Sequence, residues 1–212
     1  MARRVSDLFI IGAGGHGKVV AETAEATGDW ESILFLDDDF LRLNGSMRWP
    51  VANPDEFSDK LKDASAVIAI GNSGKRLALL DEVSAAGCML PVLRHPAAWI
   101  SPSAVFEEGA VVFAGAVIQA ETRLGRGVII NTLAGVDHDC VLGDGVHICP
   151  GAHLAGNVTV GEKSWLGIGC SIKQGIRVGR NVTIGAGAVV INDVADSLTV
   201  VGCPARPVGA DE

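Results

Sequence analysis

The stretch INTLAGVDHDCVLGDGVHICPGAHLAGN, residues 130 to 157, holds three of the chain's five histidines. They are His138, His147 and His153, and Asp137 and Asp139 flank the first. A carboxylate beside an imidazole fixes its tautomer and raises its basicity, as a general base near neutral pH requires. His138 could instead be a solvated corner residue, but an acid–His–acid cluster is unusual in a stretch otherwise poor in charge. His147 reads as a binding residue or as part of a packed wall, since Trp165 lies eighteen residues after it and Ile129 eighteen before. His153 reads as scaffold as readily as function.

A second candidate site lies near the N-terminus. IIGAGGHGKVV contains Gly12-x-Gly14-x-x-Gly17 between a strand-like and a helix-like run, and Asp37 and Asp38 follow about twenty positions on. That spacing meets the dinucleotide fingerprint. The region is only about half of a full dinucleotide fold, however, and His16 stands inside the loop. A half-fold suits a mononucleotide, with phosphates on backbone N–H groups at the helix start and the acidic pair reading ribose or base. AIGNSGKR supplies a second strand-to-helix loop at the same sheet edge, without the spacing of an NTPase loop.

The elements that must position these residues have two different periods. Up to about residue 95 the chain alternates strand and helix: DLFIIG, ILFLDDD, AVIAIG and MLPVL read as strands. Between them AGGHGKVVAETAEATG and KRLALLDEVSAAG read as helices, the first stopping at Gly28. This predicts a small parallel α/β unit over 1–95, a half-Rossmann domain. From Ile100 the period becomes six: Ile100, Phe106, Val112, Ile118, Leu124, Ile130 and so on to Val190, with a small or β-branched residue four places after each. Hexads predict a parallel β-helix over 96–212, three hexads to a triangular coil of eighteen residues and a short C-terminal tail.

Register separates the histidines. His138 holds the third, outward-turning position of its hexad, while His147 and His153 hold the sixth position in consecutive hexads. The latter two therefore lie on adjacent faces and cannot converge on one metal within a protomer. No metal site is expected, save one in which a neighbouring copy supplied a ligand, as in a trimeric carbonic anhydrase. Cys140 and Cys170 fall on inward positions and read as core; Cys149 does not.

Composition narrows the class. The chain has 212 residues, 48% of them apolar, with 27 Gly and no Tyr. No run of eighteen apolar residues occurs and MARRVSDLF lacks an apolar leader, so a cytoplasmic protein without membrane insertion is expected. Five cysteines without a CxxC pair argue for a reduced compartment. A net charge of −8 argues against a nucleic-acid surface.

The hexads and the closing VVGCPARPV resemble the hexapeptide-repeat acyltransferases. Joined with GAGGHGKVV, FLDDD, AIGN and the NT…VDHDC…G…H pattern, the whole chain resembles the PglD-type nucleotide-sugar acetyltransferases. Perosamine N-acetyltransferases and NeuD-type sialic acid O-acetyltransferases are near relatives of these. The resemblance implies a left-handed β-helix, a homotrimer with active sites between subunits, and acetyl transfer from acetyl-CoA to a sugar amine or hydroxyl. It implies His138 as base, supported by Asp139 where the family pattern carries Glu, with Asp137 as an alternative support. It implies acetyl-CoA contacts at His147, Gly156, Ile168 and Ala186, and nucleotide-sugar contacts at Gly14, Gly15, His16, Asp37, Asp38, Ile70 and Gly71. A UDP-4-amino-4,6-dideoxy sugar is the favoured acceptor, ahead of GDP-perosamine and sialic acid. An NAD-binding oxidoreductase and a non-catalytic β-helix scaffold are the readings from other classes.

Overall fold

The computed structural model describes residues 5–56, 62 and 64–208. The N-terminal elements are β1 (Val5–Ile11), α1 (Gly15–Thr27), β2 (Trp30–Leu36), α2 (Phe40–Leu43), β3 (Val51–Ala52), β4 (Ser65–Ile68) and α3 (Ser73–Ala85). Their strands pair in parallel in the order β3-β2-β1-β4. Alternation along β1 explains the layering. Leu8 and Ile10 join Val20, Ala21 and Ala24 of α1 in one apolar cluster, while Phe9 joins Leu80 and Val83 of α3 in another. Gly28 caps α1 in the left-handed conformation at φ 70°, as its sequence position suggests. Asn72 caps α3, its side chain accepting the Lys75 N–H at 2.9 Å. α2 and β3 are short additions that the apolar pattern does not signal.

MLPVL does not form the expected fourth strand of this sheet. Met89 makes a single bridge to Ser65, and the chain then departs. Pro91 lacks the N–H that would continue the ladder. β5 (Leu93–Arg94) pairs instead with Val111–Val112 and forms the first rung of the β-helix, which therefore starts before Ile100.

The six-residue period closes into three sheets of eight, six and five short strands, parallel throughout except for the last strand of the eight. Partners lie eighteen residues apart: Ile100 with Ile118, Leu124 with Leu142, Ile130 with Ile148. The last coil closes in sixteen, pairing Ile184 with Val200, and Arg206–Pro207 folds back antiparallel on Val200–Val201. Inward aliphatics and the small corner residues form one buried column. Cys140 and Cys170 belong to it as expected, and Cys149, read as lying outside the core, is buried as well.

The α/β unit is docked along one face and one edge of this prism. Val111, Phe113 and Ile129 share a cluster with α1 residues. α3 lies in a trough of corner glycines: a Cβ at Gly109 or Gly127 would meet Leu80 at 2.6 and 2.5 Å, and one at Gly145 would meet Leu77 at 3.0 Å. On the next two coils that corner carries Lys163 and Asn181, which have side chains and positive φ. No described helix is long and apolar enough to cross a membrane.

Candidate active site

His138 sits on a turn, and its Nδ1 lies 2.7 Å from Asp139 Oδ2. An ionised carboxylate can only accept, so Nδ1 carries the proton and Nε2 presents its lone pair outward. Asp139 occupies a left-handed turn position at φ 58°. That conformation swings its short side chain back to the ring, so one fewer methylene than Glu still reaches. Asp139, not Asp137, is the ring's partner. The other side of the ring rests on Gly156, one coil along, where a Cβ would stand 2.5 Å from Cε1 and 2.6 Å from Nε2. Only glycine leaves that space. The Gly156 carbonyl accepts from Gly175 N–H at 3.0 Å, and its N–H has no partner among the described residues.

Ile168 and Ala186 lie on a different corner, one coil apart and both exposed. Within one chain a full face separates that corner from His138 and Gly156. His153, on the intervening face, packs over Gly135.

The glycine loop forms a second centre. β1 is the strand at which the sheet order reverses, and ligands of such sheets bind beyond the strand ends at that point. There a cleft of about 220 Å³ is lined by Gly12, Asp37, Asp38, Pro54, Ile70 and Leu79 among others. Asp37 holds the loop: Oδ2 accepts the Ala13 N–H at 2.7 Å and Oδ1 the Asp39 N–H at 2.9 Å. Asp38, which lines it, is exposed, as are Gly14 and Gly15 at the start of α1. Gly17 is required for packing, because a Cβ there would collide with the Gly12 carbonyl. A second cleft, about 530 Å³, lies between the start of α3 and the prism, lined by Gly71 to Gly74, Lys163, Trp165 and Asn181. Ile70 and Gly71 thus wall two neighbouring clefts.

His16 and His147 meet where the two domains join. Their ring centroids are 6.2 Å apart, with Phe113 edge-on to His16 and Trp165 edge-on to His147. Asn131 Oδ1 accepts the Thr132 N–H, so its NH2 donates to His147 Nε2 at 3.1 Å and the His147 proton resides on Nδ1. His147 Nδ1 and His16 Nε2 are buried with no partner among the described residues. Burial, with the nearby charge of Arg76, lowers His16 to about 4 and His147 to about 3, so both are neutral.

The comparisons with known proteins agree with this architecture. The PglD N-terminal domain model matches residues 7–83, and the bacterial transferase hexapeptide model matches residues 157–192. The acetyltransferase domain of PglB from Neisseria gonorrhoeae FA1090, solved with acetyl coenzyme A, is 48% identical. That match covers 95% of this chain and 98% of that one, with a TM-score of 0.91. The chain belongs to the PglD-type sugar N-acetyltransferases.

PerB from Caulobacter crescentus, solved with CoA and GDP-perosamine, is 38% identical, covering 96% and 97% of the two chains with a TM-score of 0.89. UDP-N-acetylbacillosamine N-acetyltransferase of Bacillus subtilis is 37% identical over 113 residues, 52% of each chain. The chain therefore spans about half the length of that curated relative. Two residues lie inside the quoted motifs without their roles being readable there: Asn131 of the NT pair, which sets the His147 tautomer, and Arg76 at the end of AIGNSGKR, which is 1% exposed. Its burial comes from the long-range docking of α3 against the prism, which local sequence pattern does not encode.

Proposed function

We propose that the protein transfers acetyl from acetyl-CoA to the amine of a nucleotide-linked amino sugar, a UDP-4-amino-4,6-dideoxy sugar, in bacterial glycan synthesis. The His138–Asp139 pair resting on Gly156 carries this reading. In the reaction the sugar nitrogen attacks the thioester carbonyl while His138 Nε2 takes a proton from it. The tetrahedral intermediate then expels the CoA thiolate, which recovers that proton from the imidazolium. No acyl-enzyme is required, since the thioester is already activated. The unpartnered Gly156 N–H is the donor for the oxyanion. Asp139 keeps His138 in the reactive tautomer and stabilises the imidazolium. The nucleotide would occupy the cleft at Asp37, Asp38 and Ile70, with its phosphates toward Gly14 and Gly15 at the start of α1.

The active unit in this reading is a homotrimer in the cytoplasm. Trp99, Val105, Leu133, Val141 and Ile168 are large apolar side chains exposed between 43% and 63%. A threefold assembly would cover them and bring the Ile168–Ala186 corner of one copy, with its acetyl-CoA, to the His138 corner of the next. The buried His147 would then line the deep end of the site.

The test is release of CoA thiol from acetyl-CoA by the purified chain, with UDP-4-amino, GDP-4-amino and sialic acid acceptors and a His138→Ala control. Turnover confined to a nucleotide-linked amine and lost in the control supports the reading. Preference for the GDP-linked amine replaces the acceptor, and NAD(P) binding without transfer overturns the reading.

A further inference from the structure

Arg76 offers five N–H donors and every one is used. Nε donates to the Gly127 carbonyl at 2.8 Å, and Nη2 to the Gly145 carbonyl at 2.6 Å and to Ser73 Oγ at 3.4 Å. Nη1 donates to the carbonyls of Ile70 and Gly71 at 2.8 and 3.0 Å. No carboxylate is among these partners. A buried cation held only by carbonyls and a hydroxyl is a costly arrangement, and its side chain is 1% exposed. Carbonyls from four separate residues on two domains must converge on one planar fork. A saturated fork fixes the distance between the Ile70–Gly71 segment and the two prism turns in a way a flexible ammonium cannot.

That segment is the common wall of the two clefts: Ile70 lines the one with Asp37 and Asp38, and Gly71 lines the one with Lys163 and Trp165. The geometry points to Arg76 as a positioning residue for the nucleotide-sugar substrate, one that sets the partition between the clefts by gripping the Ile70 and Gly71 carbonyls from the prism side. This rests on the functional reading above. A plain domain rivet would leave the partition indifferent to it. The molecule also holds such a rivet for comparison: Arg126 of the prism, bonded to Asp81 of α3 at 2.8 Å and to Glu108 at 2.9 Å.

The test compares wild type, Arg76→Lys, Arg76→Met and Arg126→Ala as full chains. It uses steady-state kinetics with a UDP-linked amine and acetyl-CoA, and amide hydrogen exchange. Arg76→Lys is expected to raise KM for the nucleotide sugar about tenfold or more. Its kcat and its KM for acetyl-CoA should stay within about threefold, and faster exchange should be confined to residues 69–74. Arg126→Ala should show neither effect. A nucleotide-sugar KM within about twofold of wild type in both Arg76 variants overturns the proposal. So does a parallel rise of both KM values with faster exchange across both domains. Should the Met variant fail to fold, the Lys variant decides. A wild-type chain that acetylates no nucleotide-linked amine would sink the functional reading instead, and exchange at 69–74 would then decide alone whether Arg76 fixes the loop.

Discussion

The imidazole of His138 fills the space that a side chain at Gly156 would need, with Nε2 only 2.6 Å from the position a Cβ would take. The two residues are eighteen apart in sequence and one coil apart in space. Gly156→Ala should therefore push the ring aside while leaving the fold intact, because the clash is with the mobile end of a side chain. The expected result is a kcat loss of about 10- to 100-fold from a misplaced base, with a stability change under about 1 kcal/mol. Kinetics and thermal melts of the variant check both.

The carboxylates around His138 should behave unequally. His138→Ala is expected to lower turnover by about 10²–10⁴. Asp139→Asn, whose amide can donate to Nδ1 and so hold the ring in the wrong tautomer, should cost about tenfold. Asp137→Asn should stay close to wild type, since Asp137 makes no bond to the ring. Equal losses in the two Asp variants would sink the assignment of Asp139.

Acid should destabilise the protein through its buried histidines. His16 and His147 have folded-state values of about 4 and 3, below the ordinary imidazole value of 6.5. The unfolded chain thus binds more protons between those limits, so the stability is fully present above pH 6.5 and is lost as pH falls toward the folded values. By pH 5 the loss should approach roughly 2 kcal/mol for each group. Denaturant titrations from pH 7.5 to 5 on wild type and His16→Asn measure it, and the variant should show about half the slope.

Two glycines of one loop should give opposite results. Gly17→Ala drives a Cβ into the Gly12 carbonyl and is expected to cost about 1–3 kcal/mol. Gly14 has nothing within 4 Å of an added Cβ and a φ of −73°. Gly14→Ala should leave stability within about 0.5 kcal/mol while weakening nucleotide-sugar binding, which calorimetry with UDP can follow.

Thiol chemistry offers a simple check on burial. Cys88, Cys140, Cys149 and Cys170 are buried and Cys203 is exposed. Burial raises Cys88 to about 11 and Cys149 and Cys170 to about 12, and raises Cys140 too. One thiol per native chain should react quickly with an aromatic disulfide reagent, and all five after unfolding.

The hexad register was legible because each coil repeats one local rule, an aliphatic inward and a small residue at the corner, so the pattern survives at any point along the chain. It assigned His138 to an outward turn and Cys140 and Cys170 to the core without any knowledge of long-range contacts. The N-terminal alternation was legible for the same reason, except at MLPVL. There strand propensity was real, but Pro91 and the neighbouring rung at Val111 decided which sheet received Leu93.

By itself, the sequence determined the two periods, the candidate base with its flanking acids, and the glycine loop with Asp37 and Asp38 at strand-end spacing. Local pattern suffices for these, since side-chain direction follows from the period. What only the tertiary structure decided depends on docking between elements far apart in the chain. It selected Asp139 over Asp137 through a left-handed turn, and it set His138 against Gly156. It turned His16 into the junction beside His147, and it buried Arg76 among carbonyls 51 and 69 residues away. The strength of such contacts comes from desolvation and convergent geometry, and neither exists until α3 lies in its trough of glycines.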